Sequence, residues 1–254
     1  MTRAGWWRVA LVSGAVLLLE AASRWGWINP VSFIPPSKMA AAAVHILTSG
    51  QFSRDIALTL GAGAAAALLA AVFGFLGGLV LHKLPRVLRV LNPLLLSYYA
   101  VPIFVVYPMF IVLFGINRWP LIAIGFIFAV VAMAVNTLNG LQRIPRVLLR
   151  TARVARLSTG QELRLVTIPA SLPYLFTGVK LVIVYAFIAV IAGEFVLSGE
   201  GIGHQIAFAY NNFDNPTMYG LMLLLLVFVG SLNTVLHAVE QRLYQRRVLR
   251  EVAT

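Results

Sequence analysis

The chain has 254 residues, of which 60% are hydrophobic and only 11% charged, with a formal net charge of +12 and no cysteine. A soluble domain of this size cannot hide so much apolar side chain, so a polytopic membrane protein is expected. The missing cysteine excludes disulfides, thiolate metal sites and cysteine nucleophiles, and the excess of Lys and Arg marks cytoplasmic loops rather than a nucleic-acid surface.

Arg3 and Arg8 precede an apolar stretch ending at Glu20-Ala21-Ala22-Ser23, a pattern shared with cleaved leaders. A retained first span near 6–27, closed by Trp25 and Trp27 at the interface, is the preferred reading. "NPVSFIPPSKMAAAAVHILTSGQFSRD" follows, with a Pro-Pro break and an amphipathic stretch. It reads as an outer-face loop with a short helix on the membrane surface. A second span is expected near 57–81. The next uncharged run, between Arg89 and Arg118, carries Pro93, Pro102 and Pro108, which predict a kinked or interrupted helix. Further spans are expected at 119–138, 174–197 and 216–238.

Six spans with both termini cytoplasmic put every Lys and Arg inside except Arg24, Lys38, Arg54 and Arg118, with Lys180 within a span. The inner set includes Arg3, Arg8, Arg242, Arg246, Arg247 and Arg250. The chain divides into residues 1–56, a first helix and outer loop, and 57–254, a five-helix core interrupted by a cytoplasmic loop at 139–172.

That loop is the most informative segment. "GLQRIPRVLLRTARVAR" reads as a helix with Pro145 near its start. Arg143, Arg146, Arg150 and Arg153, spaced 3, 4 and 3 apart, fall on one face, with Val147, Leu148 and Val154 turned elsewhere. In "LSTGQEL", Ser158 with Gln161 or Thr159 with Glu162 forms a capping box, so a second helix starts there. Pro169 is expected to stop it soon after. A basic face resting on anionic lipid and a docking element for a cytoplasmic partner both fit this helix, turn and short helix.

Glu194 is the only acidic residue well inside a span. Such groups are costly and usually functional or paired, so a functional or paired role stands against snorkelling to the outer surface. Lys180 reads as a snorkelling lysine rather than a solute contact. In "SGEGIGHQI", Gly199, Gly201 and Gly203 suit a sharp outer-face turn into a short helix, with His204 in the loop. A phosphate cradle is the wrong reading, because its lysine and Ser/Thr are absent. Tyr98, Tyr99 and Tyr107, around Pro102 and Pro108, line a polar pathway or make ordinary aromatic packing, the second being preferred.

Two other function classes lack their chemistry. An intramembrane enzyme needs an assembled constellation, and no HExxH or paired aspartate occurs in the spans. An ion-coupled transporter needs ionisable groups at the midplane, where only Glu194 is available.

The loop resembles the "EAA" loop of permease subunits of bacterial ATP-binding-cassette importers. The family pattern is Glu-Ala-Ala, Gly three residues on, then Ile-x-Leu-Pro after nine more. With the proline at Pro169, Ile168 falls on the Leu, Val166 on the Ile, Ala152 on the second Ala and Thr151 on the first. Arg150 stands where the family has Glu, and Arg156 where it has Gly. "NTLNG", "IPASLPYLFTGVKL", "AGEFVLSGEGIGHQI" and "FIPPSKM" resemble further family stretches, together covering most of residues 33–210. The pattern is similar to permeases of sulfonate, taurine, nitrate and thiamine-precursor importers.

The resemblance implies an all-α chain with six transmembrane helices and the type I importer permease fold, in the bacterial inner membrane. It implies a non-catalytic subunit with no cofactor of its own, ATP and Mg being held by a cytoplasmic ATPase dimer. The other partners are a second permease, identical or different, a periplasmic solute-binding protein and membrane lipid, with no nucleic acid. The helix at 158–167 would dock on the ATPase, with Arg150, Ala152, Arg153, Arg156, Leu157, Ser158, Thr159, Gly160, Gln161, Glu162 and Pro169 forming the docking region. Glu194, Gly199, Gly201, Gly203, Tyr99 and Pro102 would serve pathway and gate. Because Arg156 lacks the freedom of glycine, the turn is expected to be built differently from the family's.

Overall fold

The computed structural model describes residues 3–29, 32–100 and 102–252. The side chains of Arg3, Arg8, Arg242, Arg246, Arg247 and Arg250, used in the charge argument, lie outside the described residues, as do Pro30 and Val31 of the first loop and Val101 beside Pro102. The described residues form eleven α-helices: α1 (Arg3–Arg24), α2 (Pro36–Ser49), α3 (Ser53–Lys83), α4 (Pro85–Ser97), α5 (Tyr107–Phe114), α6 (Trp119–Gln142), α7 (Arg146–Val154), α8 (Thr159–Glu162), α9 (Ile168–Leu197), α10 (Ile202–Asn211) and α11 (Asn215–Val252).

Among the described residues, four helical stretches are long and apolar enough to cross a membrane: Ser53–Lys83, Trp119–Gln142, Thr159–Val196 and Asn215–Gln241. They coincide with four of the six expected spans. The run between Arg89 and Arg118 is not one helix. It breaks into α4, two 3-10 turns (Tyr98–Ala100 and Ile103–Val106) and α5, with Pro93 inside α4, Pro102 in the gap and Pro108 opening α5. Each proline removes a backbone donor and crowds the preceding turn, so no single rod can form. The first expected span is the 22-residue α1.

The chain groups into two compact units, Met1–Leu58 with Glu194–Gly230, and Thr59–Gly193 with Ser231–Thr254. In the first, Glu20 at the end of α1 accepts the Ser37 backbone N–H (2.9 Å), the Ser37 hydroxyl (2.7 Å) and Arg24 Nε (2.6 Å). It thereby satisfies a donor that the start of α2 leaves over. α2 and the first turns of α11 bury Ile46, Met218 and Leu221 with Ile202, Ile206 and Ala209 of α10.

The second unit has an alanine-rich core. Ala62, Ala66, Ala67 and Ala70 of α3 meet Ala129, Ala132 and Met133 of α6 and Val182, Ala186 and Val190 of α9. Small side chains bring backbones close, the usual basis of helix packing where hydrophobic burial supplies little driving force. Lys180 is not a headgroup anchor. Its Nζ lies 2.5 Å from Glu240 Oε2 of α11, and His237 Nδ1 lies 3.4 Å from the same oxygen. Both side chains of the pair are only about one-fifth exposed, at 22% and 19%. Lys180→Met therefore leaves a carboxylate short of its main partner and should cost about 1–3 kcal/mol. Adding Glu240→Gln should recover most of that, as read from thermal unfolding of the detergent-solubilised protein. A double variant less stable than the single would disprove the pairing.

Candidate functional site

The loop expected at 139–172 is shorter at both ends than its sequence suggests. α6 continues to Gln142, and after α7 the chain winds without interruption from Thr159 to Leu197. Pro169 does not stop that helix, contrary to expectation. The segment Leu163–Thr167 just before it winds more widely, with the Ile168 N–H donating to the Leu163 carbonyl. A wider turn makes room for the proline ring and absorbs the missing N–H, so Ile168 keeps helical angles (φ −62, ψ −49). The expected separate helix at 158–167 is thus the opening of a long helix that enters the membrane.

The neck of the hairpin is pinned. Gly140 of α6 faces α9 so closely that a Cβ there would sit 2.9 Å from Ser171 Cβ and 3.0 Å from Tyr174 Cβ. Arg143 donates to the Tyr174 hydroxyl at 3.0 Å and stands 5.4 Å from the ring centroid. One of the four aligned arginines is therefore spent on fixing the hairpin.

At the tip, α7 begins after Pro145 and rests on Leu163–Thr167 through a face that includes the fully buried Ala152. Its other faces are open. Arg146, Arg150 and Arg153 are exposed, and so are Val147 (69%), Leu148 and Val154 (85%). Val147, Thr151 and Val154, at i, i+4 and i+7, share one stripe, beside the basic one.

α7 ends in a left-handed turn. Arg156 has φ +51, Leu157 N–H donates to the Ala152 carbonyl (3.1 Å) and Arg156 N–H to the Arg153 carbonyl (3.0 Å). These two bonds form the Schellman cap that glycine usually makes. The expectation of a differently built turn is thus corrected. The geometry is that which a glycine would give, held by an arginine whose left-handed strain the two capping bonds offset. Arg156→Gly should stabilise the turn by about 0.5–1 kcal/mol, raising the unfolding midpoint of the detergent-solubilised protein. Destabilisation of that size would mean that the guanidinium makes a contact which outweighs the strain.

Ser158 then caps the next helix. Its hydroxyl accepts the Gln161 N–H (3.4 Å), and the Gln161 side chain accepts the Ser158 N–H (2.9 Å). Of the two possible boxes the structure uses this one, leaving Thr159 and Gly160 exposed and Glu162 half-buried. Pro169 is half-buried at the start of α9.

Of the second predicted group, Glu194, Gly199, Gly201 and Gly203 belong to the first unit and Tyr99 and Pro102 to the second. Glu194 does not snorkel, being 1% exposed. Oε2 accepts the Gly203 N–H at 3.0 Å. Gly201, at φ +101, presses against this carboxylate so closely that a Cβ would overlap it. Sequence reasoning missed Asp55, whose Oδ1 accepts the Gly201 N–H (2.8 Å) and whose Oδ2 accepts from Gln205 Nε2 (3.2 Å). Its one signal was an acidic residue in the first turn of a span. Gly199 is open, and His204 lies on α10 rather than in a loop, its ring 6.4 Å from that of Phe208. Tyr99 packs in a trio with Phe128 and Tyr185 at centroid distances of 5.1 to 5.5 Å, flanked by Tyr98, while Pro102 is exposed. Among the described residues, no group of three or more His, Asp or Glu side chains is arranged to hold a metal ion.

Known proteins share this architecture. The fold matches a chain of the structure titled "Inward facing conformations of the MetNI methionine ABC transporter" with a TM-score of 0.65, at 19% identity, over 75% of this chain and 94% of that one. In sequence, the chain is 31% identical to the nitrate import permease protein NrtB of Leptolyngbya laminosa, over 72% of this chain and 64% of that protein. It is 32% identical to the bicarbonate transport system permease protein CmpB of Synechococcus elongatus, over 66% of this chain and 59% of that protein. The chain thus spans about three-fifths of the length of these relatives. A putative aliphatic sulfonates transport permease protein, SsuC of Bacillus subtilis, is 25% identical over 98% of this chain and 88% of its own length. Residues 71–249 match the model of the binding-protein-dependent transport system inner membrane component family, to which this chain belongs.

Proposed function

We propose that this chain is the permease subunit of an ATP-driven importer, forming half of a solute path through the inner membrane with both termini in the cytoplasm. A periplasmic binding protein delivers the solute, a small organic molecule or oxyanion. Energy comes from a cytoplasmic ATPase dimer, because the chain has no glycine-rich lysine loop to bind nucleotide. The observation that carries this reading is the tip of the hairpin 143–167. A nine-residue helix with an apolar stripe and a basic stripe, both exposed, stands on a pinned neck. An apolar patch rimmed by charge is the mark of a protein interface. The docking surface is α7 with the turn through Arg156 and Ser158, rather than a free helix at 158–167. The helix that starts after Ser158 runs on into α9, so a push on the tip is passed through the turn to a membrane-crossing helix.

Where relatives of this family carry glutamate, Arg150 offers the ATPase the opposite charge. A second permease with the usual glutamate would complete the pair. Purifying the complex and finding two copies of this chain alone would assign the change to the ATPase groove instead.

The decisive experiment is uptake in proteoliposomes containing the permease, its ATPase and its binding protein. Uptake should require ATP and stop with a hydrolysis-dead ATPase. Accumulation driven by a proton or sodium gradient without nucleotide would overturn the assignment.

A further inference from the structure

The broken run between α4 and α5 has no part in the account above. Its depth is fixed by what it touches. The Tyr98 hydroxyl donates to the Ile127 carbonyl at 2.7 Å, and the Tyr99 ring lies 5.5 Å from that of Phe128 and 5.1 Å from that of Tyr185. Phe128 stands nine residues after Trp119 and fourteen before Gln142 in a membrane-crossing helix, about 13 and 21 Å along its axis. The 3-10 turn Tyr98–Ala100 therefore sits within the hydrocarbon layer, about 30 Å thick, and not at its surface.

Backbone without regular helix bonding is tolerated at that depth only inside protein or against a water-filled cavity. This chain does not cover it. Tyr99 is 40% exposed and Val105 75%, and Ala100 and Pro102 are exposed as well. Lipid is thus excluded as the neighbour, which leaves water or a second protein chain. The side chains favour water. Phe128 and Tyr185 are half-buried, and none of the hydrogen bonds among the described residues uses the Tyr185 hydroxyl. A protein neighbour would have to match that hydroxyl and the loosened backbone with fixed partners, whereas water and a mobile solute adapt to both. Edge-to-face packing, at 89° between Tyr99 and Phe128, holds the rings in place. The charge pattern selects the solute. Residues 56–161 contain no Asp or Glu, so neither the break nor α6 offers a carboxylate to repel an anion, and Lys180 of α9 is taken by Glu240. The face that remains is neutral and offers hydroxyl donors.

We propose that the break at 98–106, with Tyr99 and Tyr185, is a solute-contact site that takes a small oxyanion, free or as the acidic head of an organic molecule. The two hydroxyls donate to its oxygens. Without a fixed cation the hold is weak, and a transported solute must be able to leave. The inference rests on the importer reading and narrows its solute to an anion.

The chain's lack of cysteine makes the test direct. Ala100→Cys puts one thiol on the exposed turn and leaves both tyrosines in place. The complex is assembled with its ATPase and binding protein in proteoliposomes. Modification is timed with two water-soluble thiol reagents, the anionic methanethiosulfonate ethylsulfonate and its cationic trimethylammonium counterpart, each rate being divided by that with free cysteine. Leu11→Cys, at a position 71% exposed on the apolar α1, is the control for a side chain turned to lipid. The thiol at position 100 should react at least about tenfold faster than that at position 11. Its normalised rates should favour the anionic reagent about fivefold, the worth of one neutral hydrogen bond. Tyr99→Phe with Tyr185→Phe keeps the rings and should bring that preference to about one. Equal rates at positions 100 and 11 overturn the site, whether lipid or a second permease covers the turn. So does the absence of an anionic preference, or one that survives loss of both hydroxyls. ATP-driven uptake by the unaltered protein with position 100 out of reach defeats this inference alone. A reachable, anion-preferring position 100 without any ATP-driven uptake defeats the importer reading instead.

Discussion

Changing Arg146, Arg150 and Arg153 together to glutamate should abolish ATP-driven uptake, with a loss of about a hundredfold or more, and should release the ATPase from the purified complex. The three side chains are exposed on α7 and lie three or four residues apart, so they present one charged stripe. Reversing it changes the local charge by about six, and like charges brought together at an interface cost several kcal/mol. The helix itself should survive. Arginine and glutamate have similar helix propensities, and α7 is held by Ala152 and its two capping bonds rather than by the arginines. Arg143 is left out deliberately, because its bond to Tyr174 fixes the neck and its loss would confuse docking with folding. The rival reading, a basic face resting on anionic lipid, makes a different forecast. Under it the ATPase would remain bound, and only the dependence of uptake on lipid composition would change. Co-purification of the triple variant with a full complement of ATPase would therefore sink the docking role of α7.

How far this site was legible depends on whether its determinants were local. Ser158 with Gln161 was readable because a capping box closes within four residues. The three prolines between Arg89 and Arg118 announced an interrupted helix, because each acts on its own turn. Pro169 misled because the rule about the residue before proline is a bias, and one turn of wider winding at Leu163–Thr167 lets Ile168 stay helical against it. Arg156 misled for a related reason. Glycine is the cheapest occupant of a left-handed cap, not the only one, and two backbone bonds make up the difference. The bonding at the start of α10 was out of reach because Asp55 and Gly201 are 146 positions apart. No local pattern pairs them, and only the fold that brings the start of α3 to the start of α10 reveals what Asp55 does.

Gly201→Ala should be the most damaging single methyl in the first unit. The backbone there has φ +101 and ψ 166, a region that is essentially glycine's alone and costs other residues about 1–3 kcal/mol. The added Cβ would also overlap the Glu194 carboxylate. That group has no solvent to retreat to, so it must leave the Gly203 N–H and forfeit a charged hydrogen bond inside the protein, about 1.5–3 kcal/mol more. The sum, roughly 2.5–6 kcal/mol, is a large share of the stability of any domain. It should appear as protease sensitivity around residues 198–212 and as uptake below about 1% of the parent. Gly199→Ala supplies the control two residues away, in the same turn, with open space around it and no positive φ. It should be close to neutral. Equal damage from both substitutions would show that the turn merely resists any side chain. Damage confined to Gly201 would trace the effect to what sets that glycine apart, its left-handed backbone and the carboxylate it faces.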